Sequence, residues 1–273
     1  MEFHKLYNFF TDHLPVGVKV QDTKFVTLNC LNKHYVKYIN EYNNQGYKNS
    51  EITDLHSQFI SDNILDTREI KAFKYIQYLL NKNYVCLLQE VSYPLLMKLK
   101  EFFFVITEFK ECKNYNVIVF NTMINYDARF VNFDKSDYYF IHCQTNQFNI
   151  INVHLPWYDY HVKNELFKNP AIKQLIKYVQ LLEKNKPIII GGDFNTNLDQ
   201  ILFPNATIYT PYNTHIDANF IHPNKKVAKF DGFILIDAKA TLLQNELPLI
   251  NDLVQLLKNV KTRKVHLLFK SKV

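Results

Sequence analysis

Polar side chains follow apolar runs of this chain at points where a buried strand would end. In residues 187–197, PIIIGGDFNTN, three isoleucines lead into two glycines, and Asp193 and Asn195 come next. Only five glycines occur in 273 residues, and a pair of them would let the backbone turn tightly and come close to a ligand. An acid buried among isoleucines is costly unless charge or hydrogen bonds compensate it. The stretch therefore points to a functional site.

The same placement of polar residues recurs elsewhere in the chain. The residues that end or interrupt apolar runs are Asn29 in TLNCL, Glu90 in LLQEV, Asn152 and His154 in INVHL, Asp231 in KFDGFILI and His266 in KVHLLF. Each one alone has an ordinary structural explanation, such as a loop acid, a buried amide or an Asp-Gly turn. Their shared placement suggests that they converge on one site.

Oxygen donors dominate this set of residues. Asn29, Glu90, Asp193 and Asn195 offer the hard ligands that suit a Mg²⁺ or Mn²⁺ ion which keeps several waters. No histidine and cysteine spacing is typical of a zinc site. The four cysteines are far apart and form no CxxC pair, which indicates a reducing compartment.

Hydrophobic periodicity predicts the elements that position these residues. It predicts strands at 24–32 and 84–91, at FFFVITEF, NYNVIVFN, DYYFIHCQ and FNIINVHL within 102–153, in the GGDFN stretch, and at ATIYT, FDGFILI and RKVHLLF. It predicts helices at 33–43, after Asp66-Thr67, near 93–101, and from Pro170 to the residues before Pro187. Consecutive strands with amphipathic helices favour a layered α/β fold of mainly antiparallel sheets. We expect an N-terminal extension at 1–23 and a single domain at 24–273.

Taken in order, the series N…QE…NxHL…GDFN…D…H resembles the endonuclease/exonuclease/phosphatase (DNase I-like) superfamily. This superfamily includes DNase I, AP endonucleases, deadenylases, tyrosyl-DNA phosphodiesterases, neutral sphingomyelinases and inositol polyphosphate 5-phosphatases. The resemblance covers roughly residues 24–272, and LQEV, NVHL and GGDFN are its specific parts. It implies a four-layer α/β/β/α sandwich of two mixed, mainly antiparallel sheets flanked by helices, with the site at the edge of the two sheets.

The resemblance implies a role for each matching residue. Glu90 would be the principal metal ligand, with Asn29 nearby. Asp193 would orient or deprotonate the attacking water, and Asn195 would hold water or phosphate. A cation and a positioned carboxylate in these places would neutralise the charge that develops on phosphorus and prepare the water for attack.

The remaining residues would face the substrate. The resemblance implies that His154 contacts the scissile phosphate and that Asp231 pairs with His266, which keeps that imidazole charged and aimed at a phosphoryl oxygen. Asn152 and Tyr115 are expected to bind substrate, although the alignment of Tyr115 is loose among 18 tyrosines.

The chain departs from the family pattern in three places. The last motif of the family normally reads Ser-Asp-His, whereas this chain has Lys264-Val265-His266 there, and the Val265 side chain cannot bind metal or accept a hydrogen bond. INDLV could take that place instead, with Asp252 as the acid and no histidine. The first motif lacks the Trp-Asn-hydrophobic-x-Gly form, and NVIVF lacks a glycine. These departures mark a divergent member.

The net charge and the hydropathy of the chain restrict the classes of function that we expect. The net charge of +6 favours a polyanionic partner, so we expect a Mg²⁺-dependent phosphodiesterase that acts as a monomer on nucleic acid. The alternatives are a phosphodiesterase or phosphatase for a phosphorylated lipid or small molecule, and a catalytically silent binding module on this fold. No run reaches the roughly 18 apolar residues of a membrane span. The first residues lack the pattern of a signal peptide, so we expect an intracellular protein, cytoplasmic or nuclear.

Overall fold

Short runs of β-branched and aromatic residues form the strands of this chain, and stripes of leucine and isoleucine form its helices. The structure is a computed structural model, and it describes residues 11, 13, 15–30, 65–108, 114–134, 136–156, 169–183, 185–196, 198, 205–210, 230–243 and 246–247. The described residues contain two six-stranded sheets and three long helices.

The first sheet has the strand order β12-β1-β2-β3-β5-β4. Its strands are β1 (Val16–Val20), β2 (Thr23–Asn29), β3 (Tyr84–Val91), β4 (Phe104–Ile106), β5 (Tyr115–Phe120) and β12 (Ala240–Leu242). Strands β2 and β3 run parallel, and every other neighbouring pair in this sheet is antiparallel.

The second sheet has the strand order β10-β11-β9-β8-β7-β6. Its strands are β6 (Tyr126–Asn132), β7 (Tyr139–Thr145), β8 (Asn149–His154), β9 (Ile188–Asp193), β10 (Ala206–Tyr209) and β11 (Asp231–Ile236). Here β8 and β9 are the parallel pair, and the other pairs are antiparallel. Both sheets are therefore mixed and mainly antiparallel, as predicted.

Within the described residues, three helices cover the outer faces of the sheets: α1 (Leu65–Asn81), α2 (Tyr93–Phe102) and α3 (Pro170–Gln180). The side chain of Ser92 caps α2 by accepting from the Leu95 N–H, and the side chain of Asn169 caps α3. Within the part of the chain that the structure describes, no helix has the length and apolar character needed to span a membrane.

Two apolar cores separate the layers. In β9, Ile189 lies in the core between the two sheets, whereas Ile188 and Ile190 lie in the core beneath α3. Helices α1 and α2 pack on the first sheet within the larger core, and α3 packs on the second sheet. The order of layers is helix, sheet, sheet, helix, so the predicted four-layer α/β/β/α sandwich is confirmed.

Some elements differ from the sequence predictions. Strand β1 lies between β12 and β2, so residues 16–20 belong to the sheet although the sequence placed them in an N-terminal extension. Strand β6 was not predicted because most of its residues are exposed and polar. Phe102 ends α2 instead of beginning a strand. The predicted helix at 33–43 and the strand RKVHLLF lie outside the described residues.

Candidate active site

The two parallel strand pairs bring the predicted residues to one edge of the sandwich. The register of β2 and β3 places Asn29 opposite Gln89, and the register of β8 and β9 places His154 opposite Asp193. Both pairs end at this edge, because parallel neighbours have their carboxyl ends together. The antiparallel strand β11 begins there, with Asp231 opposite Asp193.

Asn29 joins the acids of the two sheets. Its Nδ2 donates hydrogen bonds of 3.0 Å to Glu90 Oε1 and 2.9 Å to Asp193 Oδ2. Glu90 lies at an irregularity of β3 between Leu88 and Val91 and has a φ of 53°, a left-handed conformation that is uncommon for non-glycine residues. The amide nitrogen of Asn29 therefore orients both carboxylates, and the metal-ligand role of Asn29 stays a prediction.

Asp193 is held from both of its oxygens. While Oδ2 accepts from Asn29, Oδ1 accepts from the backbone N–H of Asn195 at 2.8 Å. Asn195 has a φ of 47°, and its Nδ2 donates to the carbonyl of Leu155 at 2.8 Å. The backbone of Asn195 thus fixes the acid, and its side chain fixes the turn after β9.

His154 lies between the two acids. Its Nε2 is 3.6 Å from Glu90 Oε1 and 3.8 Å from Asp193 Oδ2, and the ring of Tyr138 packs edge-on against its imidazole with centroids 4.8 Å apart. Burial lowers the pKa of His154 to about 4, although the charge of Asp193 opposes this effect. The imidazole is therefore neutral at neutral pH, and its ring nitrogen can donate or accept a hydrogen bond.

Asp231 pairs with His13, a histidine that was not predicted to belong to the site. His13 Nδ1 is 2.9 Å from Asp231 Oδ2, and His13 Nε2 is 3.9 Å from Asp193 Oδ2. An ionised carboxylate can only accept, so Nδ1 carries the proton and Nε2 is the nitrogen on the Asp193 side. His266, the predicted partner of Asp231, lies outside the described residues.

A short motif could have identified His13. Thr11-Asp12-His13 matches the Ser-Asp-His pattern of the family's last motif, with threonine in place of serine. It was missed because the family places this motif after all the others, whereas here it precedes the first strand. Searching for the motif regardless of its position in the chain would have found it.

Asn152 was predicted to bind substrate, and the structure places it between the sheets. Its Nδ2 donates to the carbonyls of Leu88 and Val117, both at 2.9 Å, and its Oδ1 accepts from Gln89 Nε2 at 2.6 Å. The side chain is fully buried. Asn152 therefore links β8 to β3 and β5, and substrate contact by Asn152 stays a prediction.

Tyr115 begins β5 beside the irregularity of β3, in register with Val91. It is buried, and its ring centroid lies 6.5 Å from that of Tyr93. Substrate contact by Tyr115 stays a prediction.

The paired glycines of β9 serve packing between strands. A Cβ on Gly192 would overlap the Val153 carbonyl of β8, and a Cβ on Gly191 would lie 2.5 Å from the Phe233 ring of β11. Both residues lie within the strand. The tight turn expected from the sequence is thus replaced by close approach of neighbouring strands.

The donor set fits a divalent cation. Two groups of three residues, Glu90/His154/Asp193 and His13/Asp193/Asp231, each have one ligand atom per residue within 4.8 Å of the others. Asp193 belongs to both groups. The carboxylate oxygens of Glu90 and Asp193 are the donors that Mg²⁺ and Mn²⁺ prefer, so these two residues are the candidates to hold the ion.

The sequence matches no protein-family model and no curated protein. In structure the chain is similar to TDP2 from Caenorhabditis elegans, with 14% identity and a TM-score of 0.47 over 62% of this chain and 59% of that one. It is also similar to a 3′-5′ exonuclease from Neisseria meningitidis, with 14% identity and a TM-score of 0.46 over 59% of this chain and 80% of that one. A third similar structure is an endonuclease/exonuclease/phosphatase family protein from Leptotrichia buccalis, with 13% identity and a TM-score of 0.44 over 61% of this chain and 81% of that one.

The chain thus spans less than two thirds of the length of the C. elegans protein. The fold of this chain can also be compared directly with the fold that the family pattern implies. The four-layer sandwich is the fold that the resemblance to the DNase I-like superfamily implies, and Asn29, Glu90 and Asp193 meet at one edge of its two sheets.

Proposed function

We propose that this chain is a phosphodiesterase that uses Mg²⁺ or Mn²⁺ to hydrolyse phosphodiester bonds of nucleic acid. The observation that carries the proposal is the environment of Asp193. Its carboxylate accepts from Asn29 and from the Asn195 backbone, and two imidazoles, those of His13 and His154, lie within 4 Å of its Oδ2. Carboxylates and imidazoles this close together are suited to orient a water molecule and to bind the oxygens of a phosphate.

Glu90 and Asp193 are the residues that would hold the cation. When bound, it would withdraw charge from a phosphoryl oxygen and so lower the barrier to attack. Asn29 prepares this place because its amide holds the two carboxylates together. Fixed donors need no rearrangement during the reaction, which is the main source of electrostatic catalysis.

Asp193 is also the candidate to orient the attacking water. Both of its oxygens have fixed donors, so the direction of its remaining lone pairs is set. A positioned carboxylate that accepts a proton from water contributes about 100-fold or more to such a reaction.

The imidazoles would bind the phosphate oxygens. Neutral His154 can donate one hydrogen bond from the ring nitrogen beside Glu90 and Asp193. His13 is oriented through its bond to Asp231, since a carboxylate that accepts from one ring nitrogen fixes the direction of the other. Together they would stabilise the charge that develops on phosphorus.

Two properties favour nucleic acid over a lipid headgroup. The net charge is +6, which favours a polyanion. Tyr93, at the start of α2 and three positions after Glu90, is 53% exposed, and an exposed aromatic ring offers a surface on which a base can stack.

A hydrolysis panel tests the proposal. The substrates are single-stranded DNA, RNA, abasic duplex, sphingomyelin and a phosphoinositide, each with Mg²⁺ and with chelator. We expect Mg²⁺-dependent cleavage of a nucleic acid, reduced about 100-fold or more in Asp193→Asn. Equal rates in the parent and in this variant would identify a contaminant, and cleavage of a lipid alone would refute the nucleic-acid substrate.

A further inference from the structure

We infer that Thr11, His13 and the strand β1 complete the active site in the place predicted for His266, so that the last motif of the family stands first in this chain. The catalytic role that this inference gives to His13 rests on the proposed function, whereas its structural part is independent of that function. It assigns His13 as the imidazole that acts with Asp231 and Thr11 as the residue that positions it. The motif order of the chain is then circularly permuted.

The position of β1 supports this assignment. Strand β1 is an inner strand, paired on one side with β12 and on the other with β2. It runs antiparallel to β2, so its amino end lies at the edge where β2 delivers Asn29. The residues just before β1 therefore reach the active site without any long connection.

The link between β1 and β2 shows how such an order can arise. Val20 pairs with Thr23, and only Gln21 and Asp22 connect the strands. The ends of neighbouring antiparallel strands lie close together in space. A short hairpin can therefore join two such strands in one chain order, whereas in another order the same two strands lie far apart in the sequence. The sheet is the same in both cases, because the pairing of strands does not depend on the order in which they are connected.

Two hydrogen bonds of Thr11 position His13. The Thr11 hydroxyl donates to the backbone carbonyl of Asn29 at 2.7 Å and accepts from the backbone N–H of His13 at 3.1 Å. Asn29 is the residue whose side chain orients Glu90 and Asp193. One hydroxyl thus ties the segment that carries the imidazole to the strand that carries the acid-orienting amide.

The sequence agrees with the geometry. Thr11-Asp12-His13 conserves the hydroxyl, the acid and the histidine of the Ser-Asp-His pattern, whereas Lys264-Val265-His266 keeps only the histidine. Thr11 and His13 are both buried, and the His13 contact with Asp231 measures 2.9 Å. The two hydrogen bonds of the Thr11 hydroxyl explain why a hydroxyl residue lies two positions before the histidine.

A matched pair of substitutions tests which histidine acts. We expect His13→Gln to lower kcat about 100-fold and His266→Gln to leave kcat within about twofold of the parent. Thermal unfolding of each variant by circular dichroism checks that both fold. Loss of activity in His266→Gln with a normal rate in His13→Gln would overturn the inference.

A second measurement does not depend on activity. A ring N–H bonded to a carboxylate gives a downfield proton resonance, which can be observed in protein labelled with ¹⁵N. We expect such a resonance to disappear in His13→Gln and in Asp231→Asn and to remain in His266→Gln. A parent that shows this pattern but hydrolyses nothing would refute the proposed function alone, and a resonance lost only in His266→Gln and Asp231→Asn would refute the inference.

The positioning role of Thr11 has its own test. Thr11→Val keeps the shape of the side chain and removes both hydrogen bonds, so we expect kcat to fall about tenfold, in line with a bond of about 1.4 kcal/mol. Thr11→Ser keeps the hydroxyl and should restore the rate, with KM unchanged in both. Equal kcat values in the two variants and the parent would contradict a positioning role.

Discussion

The amide of Asn29 decides the arrangement of charge in the candidate site. Two carboxylates held near each other repel, yet the Asn29 Nδ2 donates to both Glu90 and Asp193. Glu90 reaches this position from a backbone with φ 53°, at a cost of about 1 kcal/mol or more. A strained residue that brings two acids together is useful where a cation binds between them.

This arrangement makes a prediction about Glu90. Glu90→Gln has the same shape, and its side-chain oxygen can still accept from Asn29, but it removes one negative charge from the cluster. We expect the affinity for Mn²⁺ to fall about tenfold or more, which corresponds to about 1.4 kcal/mol, as measured by isothermal titration calorimetry. An unchanged affinity would place the ion elsewhere, and Glu69→Gln, a substitution on α1 outside the cluster, serves as the control.

Candidate site residues could be predicted from the sequence where their motifs occur in the same order along the chain as in the family. Glu90, Asp193 and Asp231 were found because an acid after or within an apolar run is costly and therefore conspicuous. His13 was missed because its motif stands at an unexpected place in the chain. The contacts of Asn152 between the sheets could not be predicted, because a buried amide that bridges two sheets and an amide that binds a ligand look the same in a sequence.

Among the elements, β9 shows that a motif which resembles part of a catalytic site can be required for packing. The carbonyl of Val153 in β8 occupies the space in which a Cβ of Gly192 would lie. The glycine lets the parallel strands approach, and this approach sets Asp193 opposite His154. The glycines thus help to place the acid through the packing of strands.

Substitution of these glycines tests that explanation. Gly192→Ala forces a methyl group against backbone, which cannot rotate away, so we expect a loss of about 2 kcal/mol or more in the free energy of unfolding. Gly17→Ala is the matched control in β1. There the nearest atom is a Leu247 methyl at 3.2 Å, and we expect a change below about 1 kcal/mol. Urea denaturation measures both, and equal losses would contradict the packing explanation.

A second element-scale feature is a set of hydrogen-bonded polar groups that joins β7, β8 and α3, away from the site. His142 Nδ1 is 2.9 Å from the Tyr178 hydroxyl, and His142 Nε2 is 3.1 Å from Asn149 Oδ1. If Nε2 donates to Asn149, Nδ1 is free to accept from Tyr178, so a neutral ring satisfies both contacts. Burial lowers the pKa of His142, although the bond to Asn149 raises it.

The lowered pKa gives a pH dependence with a definite sign. As pH falls through the ordinary imidazole pKa of about 6.5, the unfolded chain takes up a proton on His142 before the folded protein does. Stability from neutral His142 is therefore complete above that pH and declines as pH falls toward the folded-state pKa. We expect the unfolding free energy to drop more between pH 7.5 and 5.5 in the parent than in His142→Gln, by urea denaturation. An identical drop in both would refute the role of His142.

For the whole molecule, most of the sandwich could be predicted from the sequence. The helices α2 and α3 follow from apolar spacing with caps at Ser92 and Asn169, and the buried strands follow from unbroken apolar runs. Strand β6 carries exposed polar residues and is held by pairing with β7, a tertiary effect that no local pattern contains. The inner position of β1 likewise depends on strand pairing.

Contact between the sheets through Asn152 leads to the last prediction. Asn152→Ala leaves the carbonyls of Leu88 and Val117 and the amide of Gln89 without this partner in a buried place, so we expect a loss of about 2–4 kcal/mol in unfolding free energy. A substrate-binding Asn152 would instead raise KM and leave stability unchanged. Because Gln89 and Asn152 share one hydrogen bond, the double variant with Gln89→Ala should lose less than the sum of the single losses. Strictly additive losses by urea denaturation would show that the two amides do not act together across the sheets.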